Sequence, residues 1–302
     1  MKWKKLGRII EPLSDHRRIR THVMVPTADH VGGDVFRVYF SGRDDLNRSL
    51  IGSVDLDITK PHVPFNVSDE PVLGLGELGC FDDNGVTPSW IVSKDKGKYL
   101  YYIGWKPRST TRMSVVAGLA ISHDGGHTFE RASRAPILRL TDAEPFSILT
   151  APCVMIEDDI WKMWYVSGVE WINPDLPRYN IKYAISEDGM AWHQTGIVCI
   201  DNASSDETAL ARPCVLKEEG VYKMWYSYKK RTLEYRIGYA ESGDGIHWQR
   251  ADEAVGIDVS NSGWDSEMIE YPFVFNHRGQ KYMLYNGNGY GESGIGLALV
   301  EG

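Results

Sequence analysis

The sequence predicts an all-β fold: a five-bladed β-propeller of four-stranded antiparallel blades, with the N-terminal strand closing the C-terminal blade. Two observations carry this. A block of about 60 residues recurs in one fixed order of motifs, and the two chain ends complement each other. Three segments align without gaps of note: GLAISHDGGHTF at 118–129, IKYAISEDGMAW at 181–192 and IGYAESGDGIHW at 237–248. Each follows an aromatic run, KYLYYIGW at 98–105, WKMWYVSG at 161–168 and YKMWYSYK at 222–229. Each aromatic run follows a Pro-led apolar run, PSWIV at 88–92, PCVMI at 152–156 and PCVLK at 213–217.

Alternation of the Y-K-M-W-Y kind marks half-buried strands, and Asp-Gly between two such runs marks a hairpin. Two fainter copies flank these three. HVMVP at 22–26 leads to VFRVYFSGRD at 35–44 and SLIGSVDLD at 49–57, and PFVFN at 272–276 leads to KYMLYNGNGY at 281–290 and SGIGLALV at 293–300. The Pro-led starts are Pro88, Pro152, Pro213 and Pro272, and His22 takes the matching place in the first copy. Five such units fill 302 residues as one domain, 1–302, and periods of this size signal propellers. The last copy lacks an outer strand, whereas WKKLGRII at 3–10 matches the outer strand WHQTGIVCI at 192–200. The N-terminal strand is therefore expected to complete the last blade and cover its edge.

Composition narrows the function. Net charge is −8, and no long Lys/Arg run offers the basic face that a nucleic-acid partner requires. No segment reaches the roughly 18 apolar residues of a membrane span. The first 15 residues are basic but lack a signal-peptide apolar run, so a soluble, cytoplasmic protein is expected. Cys80, Cys153, Cys199 and Cys214 show no metal or redox spacing and are expected to be reduced and mostly buried. The Ser-x-Asp-Gly hairpins recur in three units. Recurrence marks them as turn chemistry, with Asp accepting backbone hydrogen bonds and Gly taking positive φ.

In a propeller, ligands sit where the innermost strands and the loops before them converge on the axis. Those loops are acidic here. They carry Asp82 and Asp83, then Glu144, then Asp206, Glu207 and Arg212, then Trp264, Asp265, Glu267 and Glu270; the first carries Arg20 and His22. Carboxylates converging from four blades are what glycoside hydrolysis needs, one protonating the leaving oxygen and one activating water or attacking the sugar. Glu207 is the expected general acid, with Asp83 or Asp265 as base or nucleophile. Trp105, Trp264 and Tyr271 could stack on a sugar ring, and Arg20, Arg43 and Arg212 could hold phosphate or a sugar carboxylate. No cofactor is expected, apart from phosphate as co-substrate in a phosphorylase; an axial Ca²⁺ on oxygen ligands stays open.

The YxMWY and IGYAxSxDGxxW strands together resemble the five-bladed propeller glycosidases: glycoside hydrolase families 43, 32 and 68, and the mannoside phosphorylases and mannosidases of family 130. VYFSGRDDLNRSLIGSVDLD looks most like the first blade of the family 130 group. ELGCFDDNGVTP, AEPF, SDE, GWDSEMIEYPFVF and LYNGNGYGESGIGLAL resemble more closely still a set of uncharacterised glycosidase-like propellers often encoded among surface-polysaccharide genes. The likeness covers essentially the whole chain. It implies a glycoside hydrolase or phosphorylase acting on a small oligosaccharide or polysaccharide end. Carried over by position, it points to Asp82, Asp83, Glu144, Asp206, Glu207 and Asp265, with Arg43 as a binder. The Asp-Pro nucleophile motif of families 43 and 32 is absent from the first blade, which offers His22 instead. Two alternatives stand beside this reading: a non-catalytic carbohydrate-binding propeller, and a sialidase-like enzyme, since SHDGGHTF has the Asp-box form.

Overall fold

The computed structural model of the chain describes residues 1–301. The fold is all-β apart from one short 3₁₀ turn at Asp252–Ala254. Its strands form five antiparallel groups. The first is β2 (Thr21–Gly32), β3 (Val35–Arg43) and β4 (Ser49–Asp57). The second is β5 (Val86–Lys94), β6 (Gly97–Pro107), β7 (Met113–Ser122) and the two-residue β8 (Glu130–Arg131). The third is β9 (Ile148–Glu157), β10 (Ile160–Asn173), β11 (Leu176–Ser186) and β12 (His193–Ile200). The fourth is β13 (Glu207–Glu218), β14 (Val221–Lys230), β15 (Leu233–Ser242) and β16 (Gln249–Arg250). The last is β17 (Glu270–His277), β18 (Gln280–Asn286) and β19 (Ile295–Val300), and β1 (Trp3–Ile10) pairs antiparallel with β19 from Trp3↔Val300 to Ile10↔Ile295. The N-terminal strand thus occupies the place expected of it. The first group departs from the four-strand expectation. Beyond β4 only isolated bridges form, Asp55↔Phe65 and Ile51↔Leu73. The stretch concerned contains Pro61, Pro64 and Pro71, each without the N–H that a ladder needs.

The first strands of the groups contact one another in order, β2 with β5, β5 with β9, β9 with β13 and β13 with β17, and β17 also contacts β2. Short parallel pairings, Val115↔Ile148 and Tyr179↔Ala209, stitch neighbouring groups together. Each first strand is broken at its proline. Val25, Ala151, Arg212 and Tyr271, each immediately before a Pro, have φ of 54°, 47°, 52° and 54°. The register slips around them, between Met24 and Thr27, Ala211 and Cys214, and Glu270 and Phe273. These are bulges in a left-handed conformation that side chains avoid, costing about 1–3 kcal/mol each. They also correct the sequence alignment: the residue of the first copy that answers to Pro88 is Pro26, not His22.

The Ser-x-Asp-Gly hairpins fasten each group to the one before. Asp188 Oδ1 accepts from the backbone N–H of Met190 and Ala191 at 2.8 Å each, and Ser186 Oγ accepts from Gly189 N–H at 2.9 Å. The turn so fixed presents the Gly189 carbonyl to the Tyr101 hydroxyl of the preceding group at 2.8 Å. Tyr39 reaches Gly126 O at 2.9 Å and Trp164 Nε1 reaches Gly245 O at 2.7 Å in the same way. The fifth group has no such hairpin, and the equivalent Trp225 Nε1 is left without a partner.

Tyr101→Phe removes one of these fastenings and keeps the ring, so it should lower stability by about 1 kcal/mol. Urea unfolding should show a lower midpoint at unchanged slope; an unaltered midpoint would mean the hairpins do not tie the groups together.

Candidate functional site

The carboxylates that the sequence brings to the axis are largely engaged elsewhere. Asp82 is 1 % exposed, and its Oδ2 accepts from the Tyr102 hydroxyl at 2.9 Å and Arg131 Nε at 2.7 Å. Glu144 accepts from Tyr165 at 2.9 Å, Ser167 at 2.7 Å and Gln194 at 2.6 Å, with Lys182 Nζ at 3.3 Å. Glu207 is fully buried and bridged by both terminal nitrogens of Arg250 at 2.7 and 3.0 Å; Tyr226 donates instead to Asp252, which Arg250 also binds. Asp265 accepts from Lys5 Nζ at 2.7 Å and from the Tyr285 hydroxyl at 3.1 Å.

The pattern is one device used four times. An acid from the loop ahead of the first strand, or in Glu207 from that strand's first residue, meets a tyrosine region of the second strand and a polar group from the outermost strand. Arg131 lies on β8, Gln194 on β12, Arg250 on β16 and Lys5 on β1. The first group supplies the control. Its second strand has Phe40 where the others have tyrosine, and the loop side chain facing it is the fully buried Ile19. Without a hydroxyl there is no acid. Burial first, and then the neighbouring carboxylate, push the Tyr102, Tyr165 and Tyr285 phenols far above their ordinary value, so each keeps its proton and donates.

Asp83 accepts from Lys106 Nζ at 2.9 Å and Gly79 N–H at 2.8 Å. Burial works against its charge, but the Lys106 ammonium and these hydrogen bonds outweigh it and hold the carboxyl below the ordinary aspartate value. Asp206 accepts from Thr232 at 2.9 Å, and Glu267 is exposed. Trp264 covers the Tyr285 ring at 5.4 Å. Arg20 lies 3.5 Å from Asp45 at the surface. None of these residues lines either of the two cavities at the axis, so Asp83, Glu207 and Asp265 do not meet there. His22 bonds Thr21 Oγ1 at 2.9 Å; burial and the Arg43 charge lower its pKa.

The axis itself holds a cavity of about 390 Å³ that does receive Arg43, Trp105 and Tyr271 from the expected set. It adds Arg112, Lys229, Tyr179, Tyr235 and Tyr290, which sequence reasoning did not single out, and its only carboxylate is Asp175. Arg43 donates to Asn47 at 3.0 Å and forms no ion pair among the described residues. Burial lowers its pKa, against the opposing pull of Tyr271 and the Glu292 carboxylate and with the Arg112 charge adding a smaller push. Lys229 is held by Glu234 at 2.6 Å and lies 5.6 Å from the Tyr235 ring. Arg212 lines a second, smaller chamber. The five pre-proline residues Val25, Thr87, Ala151, Arg212 and Tyr271 all line one or other of the two cavities. That position, one residue before each repeated Pro, was the available signal for the axial ring. Among the described residues no three His, Cys, Asp or Glu side chains gather as a cation site would need.

Behind the tyrosine wall lies Glu270, fully buried with neither carboxylate oxygen hydrogen-bonded. Burial pushes its carboxyl well above the ordinary glutamate value, although Tyr271 and Lys229 pull the other way. Burial thus favours the neutral, protonated carboxyl at this position.

Two expectations follow. Glu207→Gln should cost about 2 kcal/mol by removing the charge from its bond with Arg250, read as a lower thermal midpoint, while ligand binding in the axial cavity is retained. Loss of binding at unchanged stability would restore Glu207 to the site. For Glu270 the folded protein holds a proton that the unfolded chain releases above the ordinary value of 4.5. Stability therefore falls as pH rises from there toward the raised pKa. Glu270→Gln lacks this dependence, so its advantage over the wild type in urea midpoint should grow with pH; parallel curves would contradict a buried neutral acid.

No family model matches the chain. Among solved structures it superposes on a glycoside hydrolase with a TM-score of 0.80 at 18 % identity, covering 99 % of this chain and 91 % of the other. A thermostable family-43 glycoside hydrolase matches with a TM-score of 0.70 at 16 % identity over 92 % and 88 %. The β-1,2-mannobiose phosphorylase from Listeria innocua matches with a TM-score of 0.73 at 10 % identity over 100 % and 97 %. At these identities the likeness shows the fold, that of the propeller glycoside hydrolases and phosphorylases. Two full-length relatives are far nearer in sequence: the uncharacterized proteins MT1551 and Rv1502 of Mycobacterium tuberculosis, 44 % and 43 % identical over 302 residues with both chains fully covered. The chain belongs to the same family as these two mycobacterial proteins.

Proposed function

We propose that the chain is a single five-bladed propeller that binds the end of a carbohydrate in its axial mouth and transfers the glycosyl group to inorganic phosphate. The five-bladed reading is supported by the cycle of contacts from β2 through β17 and back to β2. The observation that carries the chemical reading is that Arg43 and Arg112 line one cavity whose lining includes a single carboxylate, Asp175. Hydrolysis by the two-carboxylate route needs a pair of acids facing the sugar. Two arginines that form no ion pair among the described residues instead suit a planar or tetrahedral oxyanion held through several N–H donors. The tyrosines and Trp105 supply faces for a sugar ring.

In this reading phosphate, held by Arg43 and Arg112, attacks the anomeric carbon as the bond to the leaving oxygen breaks. The leaving oxygen takes a proton from the Tyr271 hydroxyl, and Glu270 restores that proton to Tyr271. Glu270 is reprotonated from solvent after the glycosyl phosphate and the shortened sugar depart. The same cavity also suits a second function, non-catalytic binding of an acidic glycan, because the arginines would hold a sugar carboxylate equally well.

Inorganic phosphate should raise the thermal midpoint, by about 2.7 kcal/mol of stabilisation at a hundredfold excess over its Kd, and Arg43→Ala should abolish the shift. Oligosaccharide consumption by the wild type should require phosphate and yield a sugar phosphate. Consumption without phosphate would return hydrolysis to the front. Binding of acidic sugars with no turnover under either condition would favour the binding module.

A further inference from the structure

Tyr290 lines the axial cavity and is 37 % exposed, whereas Tyr235 beside it is 5 % exposed. It stands in the loop between β18 and β19, at the centre of three successive residues in the left-handed region: Gly289 with φ 68°, Tyr290 with φ 57° and Gly291 with φ 87°. The loop is pinned to β2. Gly291 O accepts from Val23 N–H at 3.0 Å, and a Cβ at position 291 would meet Val23 O at 2.6 Å. Within the loop, Glu292 N–H donates to Gly289 O at 3.1 Å and Ser293 N–H to Asn288 O at 3.2 Å. A glycine would occupy position 290 without strain, yet the residue there is a tyrosine whose side chain is left at the rim of a cavity. Backbone strain carried by an exposed aromatic at such a place points to a use for the side chain.

The side chain is held by its end. Lys229 Nζ donates to the Tyr290 hydroxyl at 3.2 Å and lies 5.7 Å from the ring centre. These two distances put the ammonium beyond the hydroxyl, in line with the ring rather than over its face. Tyr235 meets the ring in a T-shaped contact at 6.1 Å, and no other aromatic ring touches it among the described residues. One broad face of Tyr290 therefore stays uncovered at the rim. A cationic ligand would compete there with the Lys229 ammonium, and an anion would meet the negative face of the ring; the C–H face of a sugar suits it. In the reading above, the end of a carbohydrate enters the mouth and the rest of it extends toward solvent. Tyr271, the proton donor of that reading, lies 6.2 Å from the Tyr235 ring, and Tyr290 is one aromatic ring further out. That is where the sugar on the leaving side of the reacting bond has to lie.

We propose that Tyr290 forms a second sugar subsite, its open face stacking on the ring next to the one that reacts, so that the substrate is a saccharide of at least two units. This names the substrate class of the mouth and rests on the reading of that mouth as a carbohydrate site. The two are separated by calorimetric titration of six probes: glucose, mannose and N-acetylglucosamine, each against its β-1,4-linked disaccharide. At least one disaccharide should bind about tenfold or more tightly than its monosaccharide. Tyr290→Gly, which removes the ring and suits the left-handed backbone, should bring that ratio near one while stabilisation by phosphate is retained. Tyr290→Phe, which keeps the face and gives up only the bond from Lys229, should hold the ratio within about threefold of the wild type. A ratio unmoved by Tyr290→Gly, or lost as fully in Tyr290→Phe, overturns the stacking subsite and leaves the carbohydrate mouth standing. Equal binding of mono- and disaccharides by the wild type does the same. No binding of any of the six overturns both.

Discussion

The buried bond between a loop carboxylate and a group on the outermost strand is the interaction on which the rest of this structure depends. The first and outermost strands of a four-stranded sheet are not neighbours, so ladder hydrogen bonds alone cannot tie the loop ahead of the first strand to the far edge. Asp82–Arg131, Glu144–Gln194, Glu207–Arg250 and Asp265–Lys5 each span that width, three of them with a tyrosine hydroxyl closing the triangle. Removing either partner of such a pair would strand an uncompensated buried group. With the loops anchored outward, the axis is left to residues that the sheet geometry alone presents.

Those residues are set by the strained bulges. A regular strand would point alternate side chains to its two faces. In four of the five first strands the residue before the Pro has positive φ, which interrupts this and turns Val25, Ala151, Arg212 and Tyr271 toward the shared cavity. Strain of this kind persists only where surrounding structure enforces it, and here the following proline and the buried second strand do so. The axial surface is consequently rigid, and its few polar groups have fixed directions.

Much of the fold could be read from the sequence because it is written repeatedly. Five copies of one strand order, and a first strand matching the absent last one, leave little freedom. The site was less legible for the same reason read the other way. Recurrence correctly marked Ser-x-Asp-Gly as turn chemistry, yet the loop acids recur just as regularly and deserved the same inference. The telling detail was Phe40: the one unit without a tyrosine at this second-strand position is also the one with Ile19 in place of an acid. Arg112, Lys229 and Tyr179 reach the mouth from hairpin lengths and strand extensions peculiar to single units. No periodicity announces them. Glu270 sat one residue before a pre-proline bulge, among other buried loop acids, and only the lack of a hydrogen-bond partner for either carboxylate oxygen distinguishes it from them.

The pairing of β1 with β19 places the first structured residues of the chain beside the last. On a ribosome the leading strand is made first and must wait, unpaired, while almost every other residue is synthesised. Its apolar residues Trp3, Ile9 and Ile10, all buried in the finished fold, would be open to mispairing during that interval. The placing of Lys4, Lys5 and Arg8 between these apolar residues then has a use beyond the final structure. The charges discourage the waiting strand from joining another edge, and its pairing with β19 forms only once that strand has been made.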